Sequence, residues 1–297
     1  MRYVQALLLV ILITLLTPGY SEASVHKIGF TGDWEHGKKS ASGHKDVKRA
    51  LGELQKAVNY YNTVFYPQLV VAGGDYIEGS YVDVAGGIVQ MKEVAAIFNT
   101  IKAKKLVLIG NHDVRSITKA DFRAIFKINA NHAIHDFDDL RVATVDLQFD
   151  PKTGKDRAKA GFVEGFLSKS ERAWLKEALK TDKPVIVFTH QPPVATVNHN
   201  GKTAANVVNA VALRALLEDA GNVVAVVSGH VAKEQFYRVN GIGYFVNNTL
   251  VNKKAMGSFG AITVDVKSNK EVTVTYQQLG ERAWKKTLYW KKGSAKK

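Results

Sequence analysis

The sequence predicts an α/β fold of two facing mixed β-sheets flanked by helices, and three observations lead there. Short apolar runs alternate with helix-period segments through the first half of the chain. Strand-like segments that read as antiparallel dominate the second half. Five of the apolar runs end in residues that ligate metals or move protons. That pattern places one site at the carboxyl edge of a sheet, where open α/β sheets hold their ligands.

Taken in order, a strand over residues 27–31 runs into Gly32-Asp33-Trp34-Glu35-His36, and a Gly, Ser and Lys-rich loop follows over 37–45. Asp46 is placed to cap a helix to Thr63, because Val47, Leu51, Leu54, Val58 and Tyr61 recur at spacings of three and four. The strand at 69–72 leads into Gly73-Gly74-Asp75-Tyr76-Ile77-Glu78, and the two glycines let the backbone crowd a ligand. A helix over 84–101 precedes the strand at 105–109, which closes with Gly110-Asn111-His112-Asp113. Residues 116–138 read as a loop, 140–149 as a strand and 150–165 as a second loop. Ser168 opens a helix with Glu171 three positions on, the pattern of a capping box, and Trp174, Leu175, Ala178 and Leu179 form its inward side. The strand at 185–189 ends in His190, a helix spans 204–220, and the strand at 223–227 ends in Ser228-Gly229-His230. Strands over 243–247, 261–266, 271–278 and 284–290 complete the chain.

A chain of 297 residues with 46% hydrophobic composition can bury a full core, expected here as a single domain over 24–297. Met1-Arg2, the apolar run 4–16, the Pro18-Gly19 break and Ser21-Glu22-Ala23 read as a signal peptide cleaved after Ala23. The competing reading is an uncleaved anchor, for which the run is short. The expected location is periplasmic or secreted, with no stable membrane anchor after cleavage. Absence of cysteine excludes a disulfide framework, a lipoprotein anchor and thiolate metal sites, so ligands must be His, Asp, Glu or Asn. The net charge of +14 draws polyanions. Residues 281–297 hold seven basic residues against one acid, with Trp284, Tyr289 and Trp290 between them. That end reads as a last strand and a solvated basic tail, or as a contact for an anionic surface.

Chemistry concentrates at the strand ends. An Asn oxygen can ligate a metal, and an adjacent His can donate a proton to a group the metal activates. Asn111-His112 has no evident packing purpose, and the apolar strands before His190 and His230 make those residues stand out. His44, His132, His135 and His199 fall in loops; of these His199, downstream of His190, is the best candidate for substrate contact, and Asn248 at another strand end is a further one.

The ordered set Asp33-x-Glu35, Gly74-Asp75-x-x-Glu78, Gly110-Asn111-His112-Asp113, His190 and Gly229-His230-x-Ala232 resembles the calcineurin-like metallophosphoesterases over roughly residues 27–236. The resemblance implies a four-layer α/β/β/α sandwich and two divalent ions about 4 Å apart, among Mn, Fe, Zn and Mg. Asp75 would bridge the ions, and Asn111, His190 and His230 would complete one site. Asp33 and Glu35 would serve the other. His112 would contact the phosphoryl oxygen or protonate the leaving group, with Asp113 orienting it. Two positions depart from the family pattern: Glu35 stands where a His is usual, and Ala232 replaces a second His.

Both departures fall on the same ion site, and three readings follow. The site is retuned as an oxygen-rich one that suits Mn, Mg or Ca better than Zn, with manganese favoured; or His36 substitutes; or the site is weak or empty. Replacement of the first-segment His also resembles the manganese-dependent ADP-ribose and CDP-alcohol pyrophosphatases. The expected function is an exported hydrolase of phosphodiester or pyrophosphate bonds, using metal-bound hydroxide on a phosphorylated small molecule or nucleotide. The alternative is a degenerate member that binds a phosphorylated ligand or an anionic surface without turnover.

Overall fold

A computed structural model describes residues 23–157, 161, 163–267 and 271–292. The leader expected over 1–23 falls, apart from Ala23, outside the described residues, as do the last five residues of the basic tail. Among the described residues no helix is long and apolar enough to cross a membrane.

Two six-stranded mixed sheets form the centre. One is built from β1 (Ser24–Thr31), β2 (Leu69–Ala72), β3 (Lys104–Val107), β10 (Phe259–Val266), β11 (Glu271–Leu279) and β12 (Trp284–Lys291), in the order β12-β11-β10-β1-β2-β3. The other takes β4 (Ala133–Asp136), β5 (Arg141–Val145), β6 (Val185–Thr189), β7 (Val223–Ser228), β8 (Gln235–Val239) and β9 (Ile242–Val246), in the order β4-β5-β6-β7-β9-β8. Parallel pairing of β1 with β2 and β2 with β3 sends three chain ends to one edge. Parallel pairing of β5, β6, β7 and β9 does the same in the second sheet.

Three apolar layers hold this together. Ile28, Phe30, Leu69, Val71, Phe188, Val227, Phe245 and Ile262 fill the space between the sheets. Leu54, Val58, Val70, Met91, Val94 and Phe98 pack the first sheet against α1 (Ala50–Tyr60) and α2 (Val84–Phe98). Leu175, Val187, Leu213, Leu217 and Val226 pack the second sheet against α4 (Lys169–Ala178) and α5 (Ala210–Ala220). Each fully buried side chain of this kind contributes about 1.5–3 kcal/mol relative to exposure. The result is the expected α/β/β/α sandwich.

Several elements differ from their sequence reading. The first helix begins with a 3₁₀ turn at Val47–Arg49, Asp46 makes no side-chain cap bond, and a π-turn at Tyr61–Phe65 ends it. The span 116–138 is not a loop: it carries α3 (Lys119–Phe126), started by a full capping box between Thr118 and Asp121, and the edge strand β4. The helix expected from Ala204 starts at Ala210, because Asn206 bonds Val194 O and Thr196 Oγ1 and Asn209 bonds Leu167, tying the preceding segment to neighbouring loops. In β12, Trp290 is buried and Trp284 packs on the inter-sheet core. Two of the three aromatics among the basic residues therefore serve packing rather than an exposed nucleic-acid platform.

Candidate metal centre

Five strands deliver the predicted residues to one place. Asp33 and Glu35 follow β1, Asp75 follows β2, Asn111 and His112 follow β3, His190 follows β6 and His230 follows β7. Asp33, Glu35, Asp75 and His230 are all left-handed, with φ of 52°, 45°, 55° and 69°. A non-glycine residue there costs about 1–3 kcal/mol, so the neighbouring structure must enforce it. It does so by backbone bonds from Asp33 N to Gly74 O (2.8 Å) and from Glu35 N to Asp75 O (2.9 Å). The carboxylates also press on glycines: a Cβ at Gly110 would lie 2.1 Å from Asp75 Oδ1, and one at Gly229 would lie 2.2 Å from Asp33 Oδ2.

Asp75, His190 and His230 present ligand atoms within 4.8 Å of one another. His190 Nδ1 donates to Gly73 O at 2.7 Å. Its Nε2 therefore faces Asp75 Oδ2 and Asn111 Oδ1, each at 3.1 Å. Acceptors converging on an imidazole nitrogen require a proton or a cation between them. Burial opposes charge on His190, but Asp75 outweighs it and lifts the imidazole to about 9. Asp75 itself is held well below the usual carboxylate range by His190 and His112, against the opposing effect of burial. His230 behaves differently: burial and the neighbouring His190 push it down to about 3, so it stays neutral. Its Nε2 donates to Ala205 O at 2.7 Å, which leaves Nδ1 as the nitrogen available to a ligand. Two His, a carboxylate and the Asn111 oxygen fit a divalent transition ion well.

A second group, Glu35, Asp75 and His112, also presents ligand atoms within 4.8 Å of one another, but here a lysine already pairs with one of the carboxylates. Asp33 is buried, and both its oxygens accept from His230 N at 2.9 and 3.0 Å, tying the two sheets together. Burial, with Asp75 and Glu35 adding to it, pushes Asp33 up to about 7. Glu35 is fully buried, and Oε1 is ion-paired with the ammonium of Lys45. Lys45 comes from the 37–45 loop and was not among the predicted site residues. His36 does not substitute for the usual ligand, since its Nε2 bonds Glu93 on α2 at 2.7 Å.

His112 lies at the rim with Nδ1 3.0 Å from Glu78 O and 2.8 Å from Arg115 Nη1. Burial disfavours its charge, yet Asp75, Glu35 and Glu78 together raise its pKa. The expected partner, Asp113, does not touch it. Asp113 instead accepts four backbone amides, from Gly110 (2.8 Å), Asp75 (3.0 Å), Tyr76 (2.8 Å) and Ile77 (3.2 Å). Orientation of His112 therefore falls to Glu78, whose place in the Gly74-Asp75-x-x-Glu78 segment was the only sequence signal for it.

The site opens into a cavity of about 310 Å³ lined by Lys45, Asn111, His112, His199, His230 and Ala232. An adjoining cavity of about 620 Å³ shares His44, His199 and Ala232 and adds Lys233, Lys254 and Arg282. His199 stacks on His44 with centroids 3.6 Å apart, at the junction of the two. Asn248 lines the outer cavity, but its side chain is occupied by Glu234, Thr249 and Asn252. A substrate contact through that amide is not supported.

Residues 26–234 match the sequence profile of the calcineurin-like phosphoesterase family. No curated protein matches the chain by sequence. Among solved structures, a dimetal phosphatase from Danio rerio superposes with a TM-score of 0.70 at 12% identity, covering 89% of this chain and 99% of that one. GAP50, described as the anchor in the inner membrane complex of Plasmodium, gives 0.58 at 15% identity with 90% of each chain covered. A putative 5'-nucleotidase from Staphylococcus aureus gives 0.53 at 11% identity, and 89% of this chain corresponds to 54% of that one. At these identities the likeness concerns the fold.

Proposed function

The chain belongs to the calcineurin-like phosphoesterases, and from that premise we propose that it is an exported metal-dependent hydrolase of phosphodiester or pyrophosphate bonds. The observation that carries the reading is the convergence of Asp75, Asn111, His190 and His230 on one ligand position, with His112 at its rim. A divalent ion held there supplies Lewis acidity toward a phosphoryl oxygen and lowers the pKa of water.

The chain's own residues supply the rest. Asn111 Nδ2 is buried without a hydrogen-bond partner and is available to donate to a phosphoryl oxygen. His112, its charge favoured by Asp75 and fixed by Glu78, is suited to protonate a leaving oxygen. Lys233 and Lys254 around the outer cavity suit a second anionic group on the substrate, which favours a diphosphate or a diester with a charged extension. The preference for manganese rested on an oxygen-rich first site; with Lys45 in that position, the remaining His-rich set suits Zn, Fe or Mn alike. Export is supported by the apolar run 4–16 ahead of Ala23.

The direct test is hydrolysis of bis-p-nitrophenyl phosphate by the protein stripped of metal and resupplied with Mn²⁺, Fe²⁺, Zn²⁺ or Mg²⁺. Turnover restored by metal and lost in His190→Ala, which removes a ligand, is expected. The Lys45–Glu35 pair favours a second reading, a member that binds a phosphorylated ligand without turnover, and GAP50 illustrates a protein of this fold described as an anchor. Binding that persists in chelator, with no turnover under any metal, would establish that reading instead.

A further inference from the structure

We infer that Lys45 is a built-in cation that takes the place of the first metal ion, so that this chain binds one divalent ion and not two. This rests on the metal-dependent reading above, and concerns how many ions the site accepts.

Four observations converge. The Lys45 side chain is only 9% exposed and Glu35 is 0% exposed, so their ion pair lies inside the protein. The Lys45 ammonium donates to Glu35 Oε1, so one oxygen of the carboxylate expected to serve the first ion is committed to the lysine. Ala232, at the position where a ligand is missing, lines the same cavity as Lys45. The loop that carries Lys45 is also stitched in place: Lys45 pairs in a β-bridge with Asn252, Asp46 N bonds Val251 O, and Lys253 N bonds His44 O, the last two both at 2.9 Å.

The cost of displacement points the same way: a second divalent ion would have to dislodge Lys45 from Glu35, stranding a buried ammonium. Glu35 then follows from the same change, since an imidazole there offers Lys45 no countercharge, and Ala232 supplies no ligand for a second ion. The ammonium is also placed to pair with a phosphoryl oxygen, as a point charge with three donors.

Equilibrium dialysis against Mn²⁺ or Zn²⁺, followed by metal analysis per chain, tests this without recourse to activity. The expected result is about one ion per chain in the wild type and about two in Lys45→Ala or in Lys45→Ala/Ala232→His, with folding checked by circular dichroism. Should Lys45→Ala fail to fold, Lys45→Gln is read in the same way. Two ions in the wild type would overturn the inference, as would one ion in the wild type and in every variant. No ion in any of the proteins would overturn the metal-dependent reading itself, so the two failures are distinguishable.

Discussion

Asp113 holds Asp75 by its backbone: its Oδ2 accepts the Asp75 amide at 3.0 Å while its two oxygens also collect the amides of Gly110, Tyr76 and Ile77. One buried carboxylate thereby fixes the turn after β2 against the turn after β3 and forces Asp75 into its left-handed conformation. The last residue of the Gly-Asn-His-Asp segment is therefore a positioning residue. Replacing it by Ala leaves four buried amides without an acceptor, each costing about 1–3 kcal/mol before relaxation. Asp113→Ala is expected to lose several kcal/mol in urea unfolding and to bind metal more weakly. Activity should fall in step with metal occupancy and recover at saturating metal; a deficit that persists there would make Asp113 part of the chemistry.

Gly110 tests the same geometry from the other side. A methyl group would sit 2.1 Å from Asp75 Oδ1, and the nearby atoms are backbone and carboxylate with little room to yield. Gly110→Ala should weaken metal affinity at least tenfold by displacing Asp75, an effect calorimetric titration would register. Gly52 on α1, where an added Cβ would meet nothing within 4 Å and φ is not left-handed, is a suitable glycine control.

Much of this site was legible because its ligands sit where apolar strands stop, and strand ends are the easiest feature to read from composition. Asp33, Asp75, Asn111, His190 and His230 all come from such positions, and the structure brings the ligand atoms of Asp75, His190 and His230 together with Asn111 beside His190. Lys45 was hidden because it lies on a loop, and a lysine among Gly and Ser reads as solvated until the fold buries it beside Glu35. The role given to Asp113 failed because adjacency to His112 in sequence says nothing of where its carboxylate points. Edge strands β4 and β8 were missed for a related reason: their alternation is short and their pairing is antiparallel at the sheet margins. The helix α3 had a readable start in Thr118 and Asp121, obscured by the loop-like composition around it.

Metal itself should stabilise the fold. An ion bound by Asp75, Asn111, His190 and His230 links both sheets, and at one hundred times its dissociation constant it adds about 2.7 kcal/mol. Thermal unfolding is expected to move upward with Zn²⁺ or Mn²⁺ in the wild type and to return on chelation. In His190→Ala the shift should be absent. An equal shift in both proteins would place the ion elsewhere.

His112→Asn is expected to separate chemistry from binding. The amide retains a donor toward the site but cannot deliver a proton, and general acid catalysis by a placed histidine is worth about 10²–10⁴-fold. The decrease should appear in kcat with metal occupancy unchanged, and should shrink for substrates whose leaving group needs no protonation, such as p-nitrophenyl esters compared with alkyl esters. A uniform loss across leaving groups would assign His112 to phosphoryl contact instead.

Lys119 at the start of α3 is also a buried cation. Its ammonium is 2.6 Å from Asp146 Oδ2, 2.9 Å from Asp156 Oδ1 and 3.4 Å from the centroid of the Phe149 ring, with a side chain only 2% exposed. It joins the helix layer of the first sheet to the segment that leaves β5 in the second, so it acts as a strut between the halves of the sandwich. Removing one partner of a buried pair typically costs about 3–5 kcal/mol, because the remaining charge stays desolvated. Lys119→Met should lose stability on that scale, while Lys119→Met/Asp146→Asn, which removes the stranded charge, should recover part of it. Metal stoichiometry should be the same in both variants and in the wild type, since no ligand position is touched. A double variant no more stable than the single one would show that Lys119 contributes through packing on Phe149 and not through its charge.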